Sequence, residues 1–420
     1  MYVLHSAFGY FLLLCIAWLC GQRTKRLPWK TVAVASLLQI ALAGLLLQPV
    51  LRAPLFSAAN TLTQLLQETA LKANESLLFA GVANASFIGQ FGPVIALQIA
   101  AILIFVAALS RMLYHYGILP WVIHHLSRLM QRILGISSAE SVGIAANVFL
   151  GMTEAPLLIR PYVARLTESE LFCLMTGGMA TIAGTVMVIY ASMLSATHPD
   201  IAGHLFVASL ISAPAAIAVA KLMIPESAVP ETAAERVQLP PKDTLNGLDA
   251  AARGASEGAQ LVINVIAMLI AFIGLVALIN QIIGYFDGLF NGTGAGRWSL
   301  EASCGWILRP LVWLMGISWI ETEAVGRLMG LKTILNEFVA YVQLADQMNG
   351  ATPLSERAFF ITTYALCGFA NFGSVAIMIG GIGGIAPERR GDLARLGIRS
   401  LIGGTLATML TGAVIGLYTA

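Results

Sequence analysis

Apolar runs of about 20 residues, the length needed to cross a bilayer, recur along the chain and are separated by short polar or basic stretches. They fall at residues 3–21, 31–50, 93–114, 171–195, 201–223, 258–284, 357–384 and 396–418, and each predicts a membrane-spanning helix. Residues 53–90 are only moderately apolar and carry Gln64, Gln67, Glu68 and Lys72. That pattern predicts a helix lying along the membrane interface, followed by a loop. Regions 117–167 and 300–350 are too interrupted to be simple spans. Each holds a carboxylate in apolar surroundings: Glu154 in Gly151-Met-Thr-Glu-Ala-Pro156, and Glu337 in Leu335-Asn-Glu-Phe-Val-Ala-Tyr341. An ionisable group at mid-bilayer costs roughly 2.5–3.5 kcal/mol on insertion scales, so it persists where protein or water shields it and a ligand uses it.

The order of elements repeats. Residues 93–223 run span, basic amphipathic stretch, interrupted region with Glu154, glycine-rich span, span; residues 258–418 follow the same order with Glu337. The glycine-rich spans carry Gly177-Gly-Met-Ala-Thr-Ile-Ala-Gly-Thr185 and Gly368-Phe-Ala-Asn-Phe-Gly-Ser374. With three crossings per unit, the second unit is inverted relative to the first, a common transporter plan that places the ligand between the repeats near the midplane. The resulting division is an N-terminal scaffold of two spans plus an interfacial helix (1–90), a first repeat (91–223), a Pro-rich charged cytoplasmic linker (224–257) and a second repeat (258–420). The fold class is an all-α polytopic membrane protein with about eight spans, two re-entrant helical hairpins and interfacial helices.

Composition supports this class. The 420-residue chain is 58% hydrophobic and 11% charged, with a mean hydropathy of +0.80; a soluble domain carries about 25% charged residues. A net charge of +2 implies no nucleic-acid partner. The five cysteines show no CxxC spacing, so neither a disulfide framework nor a zinc site is indicated. With the N-terminus outside and both interrupted regions returning to the side they entered from, 17 Lys and Arg lie inside and 7 outside, which sum to the 24 present. This bias obeys the positive-inside rule. If either region crossed once, the Arg389–Arg399 cluster would change side and the bias would weaken. Both termini are then expected in the periplasm, with the protein in the cell inner membrane.

The polar breaks carry the candidate chemistry. Glycine permits a tight turn at Gly151, and Pro156 favours the start of a new helix. Free backbone groups at such a turn are tolerated in a membrane only where they line an enclosed cavity. Thr153, Glu154, Asn336 and Glu337 add acceptors from the interrupted regions. Thr181, Asn371 and Ser374 add hydroxyl and amide groups from the glycine-rich spans, and Phe369 offers an aromatic face. This inventory suits a neutral polyhydroxylated ligand with a flat ring. For Asn147, an interhelical hydrogen bond and an ion ligand are equally open. The Gly380–Gly384 run reads as close helix packing. An intramembrane enzyme would need a metal-binding acidic cluster or a deep histidine, and neither is present in the sequence; an ion channel would use rings of like groups rather than this mixed set.

At these residues the chain resembles the concentrative nucleoside transporter family. The matching pieces are Gly151-Met-Thr-Glu-Ala-Pro156, where the family pattern is G-Q-[TS]-E-[AS]-P, Asn336-Glu-Phe-Val-Ala-Tyr341 and Cys367-Gly-Phe-Ala-Asn-Phe-Gly-Ser374, in the same order over roughly 90–420. The resemblance implies a homotrimer that imports nucleosides driven by a cation gradient, without a cofactor, by moving a transport domain against a trimeric scaffold in the lipid bilayer. It implies that Thr153 and Glu154 face the nucleobase, that Glu337, Asn371 and Ser374 hold the ribose, and that Val186 and Phe369 pack around the ligand. The family's base-binding glutamine is Met152 here, which leaves the preferred nucleoside open. By the same match, Na+ is held by the Asn147 side chain, the Leu150 carbonyl, the Thr181 hydroxyl and the Ile182 carbonyl. Proton-coupled bacterial relatives often lack this asparagine, so Na+ is favoured over H+.

Overall fold

The computed structural model describes residues 2–22, 27–77, 95–195, 197–233, 237, 239–240, 242–291 and 298–419, and every regular element among them is helical. Residues 78–90, the end of the segment read as an interfacial helix followed by a loop, and Arg23, Lys25, Arg26, Arg236 and Arg297 of the charge count, lie outside the described residues. The first two apolar runs form α1 (Tyr2–Leu19) and α2 (Trp29–Leu46). The moderately apolar segment forms α3 (Pro49–Leu77). Next, α4 (Ile95–His115) and α5 (Ile118–Leu134) meet at a 74° bend, where Gly117 takes a φ of 79° that other residues resist. α5 buries one stripe (Ile123, Ser127, Met130, Leu134) and exposes Trp121 and Leu129 on the other.

Region 138–163 is built from α6 (Ser138–Asn147), a turn, a 3-10 segment (Ala155–Ile159) and α7 (Arg160–Val163). The second leg folds back on the first: a Cβ at Gly143 would lie 3.4 Å from Ile159 Cδ1. The run predicted at 171–195 is broken into α8 (Glu168–Ala180) and α9 (Gly184–Leu194), and α10 (Ile201–Met223) follows. The second half has the same order: α11 (Gly247–Asn291), α12 (Leu300–Leu314), α13 (Thr322–Ile334), α14 (Glu337–Asn349), the broken pair α15 (Glu356–Leu366) and α16 (Phe372–Ile385), and α17 (Arg390–Tyr418). α11 starts at Gly247, so helix extends eleven residues (247–257) into the segment read as linker. Its Ala-rich start is held by close packing: Cβ atoms at Gly254 and Gly258 would meet the α4 backbone at Ala107 and Ile104 within 2.6–2.8 Å.

Among the described residues, six stretches are long and apolar enough to cross a membrane: 2–19, 29–46, 168–194, 201–223, 247–289 and 387–418; the bent pair α4–α5 would make a seventh. The remaining expected span, 357–384, is in two pieces, of which α16 is a shorter apolar helix of 14 residues. Burial sorts these helices. α10 and α17 have 89% and 83% of their apolar windows covered by protein, whereas α11 has 12% and lies at the periphery. The two broken helices cross at their breaks. A Cβ at Gly368 would lie 2.9 Å from the Met179 carbonyl oxygen and 3.0 Å from the Ala180 carbonyl carbon.

A buried polar network ties the start of the first interrupted region to its neighbours. Ser137 caps α6, and Thr167 and Glu170 form a reciprocal capping box on α8. Ser137 Oγ also donates to Glu170. The Lys221 ammonium of α10 sits 2.7 Å from Glu140 and donates to Ser169 Oγ at 3.0 Å, with Glu140, Glu170 and Lys221 all buried. Removing one member of a buried pair strands the other charge and costs about 3–5 kcal/mol. Lys221→Met is therefore expected to lower the melting temperature of the detergent-solubilised protein markedly, and the Glu140→Gln/Lys221→Met double variant to recover most of it. Equal destabilisation by single and double variants would mean that the pair acts through packing alone.

Candidate functional site

Both motif asparagines of the second half are helix caps. Asn336 Oδ1 accepts from the Val339 N–H at 3.0 Å, opening α14, and Asn371 Oδ1 accepts from the Ser374 N–H at 2.8 Å, opening α16. Each has extended backbone, as a cap requires. The caps bring the positive ends of two helices to one point, where an anionic group is favoured. Glu337, the first residue of α14, occupies that point and is 5% exposed. Its Oε1 accepts from the Tyr190 hydroxyl at 2.7 Å and its Oε2 from Asn371 Nδ2 at 3.1 Å. A carboxylate offers about four lone-pair sites, so capacity is left to accept from a ligand hydroxyl. Tyr190 stacks on Tyr341 with ring centroids 4.6 Å apart, and Tyr341 donates to the Thr363 carbonyl at 2.8 Å, which holds the group in place. Ser374 is buried one turn into α16, and Phe369 is half-buried within the break.

In the first half, Asn147 is the last residue of α6 and is 1% exposed. Among the described residues, neither its amide oxygen nor its amide nitrogen has a hydrogen-bond partner. It faces the last turn of α8, since a Cβ at Gly177 would sit 3.5 Å from Asn147 Nδ2. The break between α8 and α9 is stitched to the turn after Asn147. The Gly184 N–H donates to the Phe149 carbonyl at 3.0 Å, and Ser209 Oγ of α10 lies 3.3 Å from the Val148 carbonyl and 3.4 Å from the Ile182 carbonyl. Thr181, the cap at the end of α8, turns its hydroxyl back to the Gly177 carbonyl at 2.9 Å. Leu150 donates its N–H to the Ala146 carbonyl at 2.8 Å, and Val186 lies half-buried in the first turn of α9.

The tip of this turn packs against the second half. Thr153 lies against Gly381 of α16, where an added Cβ would be 2.7 Å from Thr153 Cγ2, and Met152 is buried against Gly178 of α8. The Gly380–Gly384 run thus serves close packing. Glu154 is exposed, with a single long bond, 3.4 Å, from the Gly151 N–H to its carboxylate. No hydrogen bond among the described residues joins Glu154 to the Glu337 group. The contacts are reciprocal: the turn of the first half meets α16 of the second, and Glu337 of the second meets Tyr190 on α9 of the first. Tyr190 and Ser209 were not singled out in the sequence. The only signal was a lone polar side chain in an apolar run, and their partners lie 147 and 27 or 61 positions away.

The sequence matches three family profiles in chain order: the N-terminus of Na+-dependent nucleoside transporters over residues 8–74, nucleoside recognition over 96–197, and the C-terminus of Na+-dependent nucleoside transporters over 204–416. The chain belongs to the concentrative nucleoside transporter family. The nucleoside permease NupC of Helicobacter pylori is 36% identical over 99% of this chain and 97% of its own length. An uncharacterized transporter of Haemophilus influenzae is 41% identical over 100% of this chain and 98% of its own length. The rat sodium/nucleoside cotransporter 1 is 39% identical over 77% of this chain and 51% of its own length. The structure of CNTnw in an inward-facing substrate-bound state matches with a TM-score of 0.90 and 40% identity, covering 100% of this chain and 98% of that one. A doubly substituted CNTnw in an outward-facing state matches at 0.92 with 39% identity, covering 100% and 99%. The chain is thus a polytopic membrane transporter of this family and not an enzyme.

Proposed function

We propose that this member imports nucleosides across the cell inner membrane by symport with Na+. The observation that carries the coupling ion is Asn147, whose buried amide has no hydrogen-bond partner among the described residues. An unsatisfied buried polar group costs about 1–3 kcal/mol, and a cation held by its oxygen together with the Leu150 carbonyl, the Thr181 hydroxyl and the Ile182 carbonyl removes the oxygen's share of that cost. The family's Na+-dependent profiles support the same reading. In this proposal Glu337, Asn371 and Ser374 bind the ribose, Thr153 and Glu154 face the base beside Met152, and Val186 and Phe369 close around the ligand. The two interrupted regions act as re-entrant hairpins, and both termini are periplasmic. The protein works as a homotrimer, and the apolar outer faces of peripheral helices meet lipid or neighbouring protomers.

The test is uptake of labelled nucleoside into proteoliposomes under an imposed sodium gradient, an imposed pH gradient, or neither. Uptake driven by sodium supports the proposal. Uptake indifferent to sodium but driven by a pH gradient overturns it in favour of H+ symport. Base selectivity has its own test. A thioether accepts hydrogen bonds weakly and donates none, so Met152→Gln is expected to shift the order in which a nucleoside panel competes with one labelled substrate. The shift should be about tenfold for at least one base, the scale of one buried polar contact. An unchanged order would place Met152, already packed against Gly178, away from the base.

A further inference from the structure

The second half holds a buried cation that the mechanism above does not use. Lys332, in the last turn of α13, is fully buried. Its ammonium donates to the Ala365 carbonyl at 2.8 Å and to Thr408 Oγ1 at 3.0 Å; it makes no direct ion pair among the described residues, although the Glu337 carboxylate acts on it through space. Ala365 belongs to the last turn of α15, just before the break. The ammonium thus sits on the negative end of a helix. A buried ion whose direct contacts are all neutral oxygens is costly, so the charge itself calls for a role beside Glu337.

Its place matches the proposed cation site of the first half. Asn147 ends the helix that leads to Glu154, seven residues before it; Lys332 lies in the helix that leads to Glu337, five residues before it (154 − 147 = 7; 337 − 332 = 5). Asn147 faces the last turn of α8, and Lys332 grips the last turn of α15. The donor sets agree in kind, a main-chain carbonyl at a helix break with a threonine hydroxyl. The breaks touch one another at Gly368 and Ala180. The two halves differ in that one carries its positive charge covalently and the other presents an unfilled amide.

We propose that Lys332 is the tethered counterpart of the coupling ion: its ammonium holds the break of α15 and α16, and with it the Asn371 cap on Glu337, as an exchangeable cation holds the break of α8 and α9. This rests on the cation site proposed for the first half. Lys332 is a positioning residue, and it makes the second half independent of dissolved cations. One exchangeable cation per cycle follows.

The experiment compares wild type, Lys332→Met and Lys332→Ala in proteoliposomes, with nucleoside uptake read against sodium and against added methylammonium or, as a neutral control of like size, methanol. Wild type is expected to show sodium activation with a Hill coefficient near 1. Lys332→Met, of nearly equal length, should lose uptake roughly tenfold or more, the scale of a typical coupling between sites. Lys332→Ala should regain uptake with millimolar methylammonium and not with methanol. Wild-type uptake and nucleoside affinity in correctly inserted Lys332→Met would overturn the proposal, as would equal rescue of Lys332→Ala by methanol. If Lys332→Ala does not fold, Lys332→Met decides alone. Wild-type uptake that ignores sodium overturns the coupling-ion reading, and with it the correspondence between the halves, even where methylammonium rescues Lys332→Ala. A sodium-driven wild type beside an unaffected Lys332→Met overturns only the role of Lys332.

Discussion

Glu337→Gln is expected to abolish nucleoside uptake while leaving insertion into the membrane intact. The carboxylate accepts from the Tyr190 hydroxyl on one oxygen and from the Asn371 amide on the other. A glutamine turns one of those oxygens into an NH2 group, so one of the two fixed donors would face another donor. The ligand side loses as well, because the free lone pairs proposed to receive sugar hydroxyls belong to a charged group. Hydrogen bonds to a charged group contribute about 1.5–3 kcal/mol each. Losing two of them predicts a fall of roughly 100-fold or more at 1.4 kcal/mol per tenfold. Initial rates in proteoliposomes, normalised to protein recovered in the membrane, measure this. Tyr190→Phe removes one donor to the carboxylate and leaves the carboxylate itself intact, so its loss should be clearly smaller. Uptake by Glu337→Gln within threefold of wild type would place the sugar elsewhere.

Much of the architecture is legible in the chain because lipid forces backbone groups to be satisfied within each segment. An apolar run of sufficient length has few options besides a helix, and glycine, proline and asparagine mark where helices stop. The breaks at Thr181 and Asn371 and the turns at Gly151 and Asn336 could therefore be read locally. The start of α11 was obscured because Asp249, Arg253 and Glu257 resemble a soluble linker, whereas the helix there is held by glycines against α4. The wiring of the site is less legible. Tyr190 meets Glu337 across 147 positions, and Lys332 meets Thr408 across 76; no periodicity carries such pairings. Met152 shows the limit of a motif, which assigns it a position in a pattern while its packing against Gly178 emerges only from the assembled helices.

Asn147→Ala should separate stability from transport in opposite directions. In sodium-free buffer the wild-type amide is buried with both polar atoms unpartnered, so deleting it removes a penalty of about 1–3 kcal/mol and opens only a small void. The variant is therefore expected to melt no lower than wild type without sodium. Adding sodium should stabilise wild type by an amount set by occupancy, about 2.7 kcal/mol at 100 times the dissociation constant, and leave the variant unmoved. Uptake should lose its sodium activation over the same range. An Asn147 that merely joined two helices would give the reverse pattern, a lower melting point in every buffer and an intact response to sodium. Asn147→Asp adds a check on charge. A carboxylate in that place should bind sodium more tightly and release it more slowly, lowering the sodium needed for half-maximal uptake while reducing the maximal rate. A variant with tighter sodium binding and undiminished turnover would mean that ion release at this site does not limit the cycle.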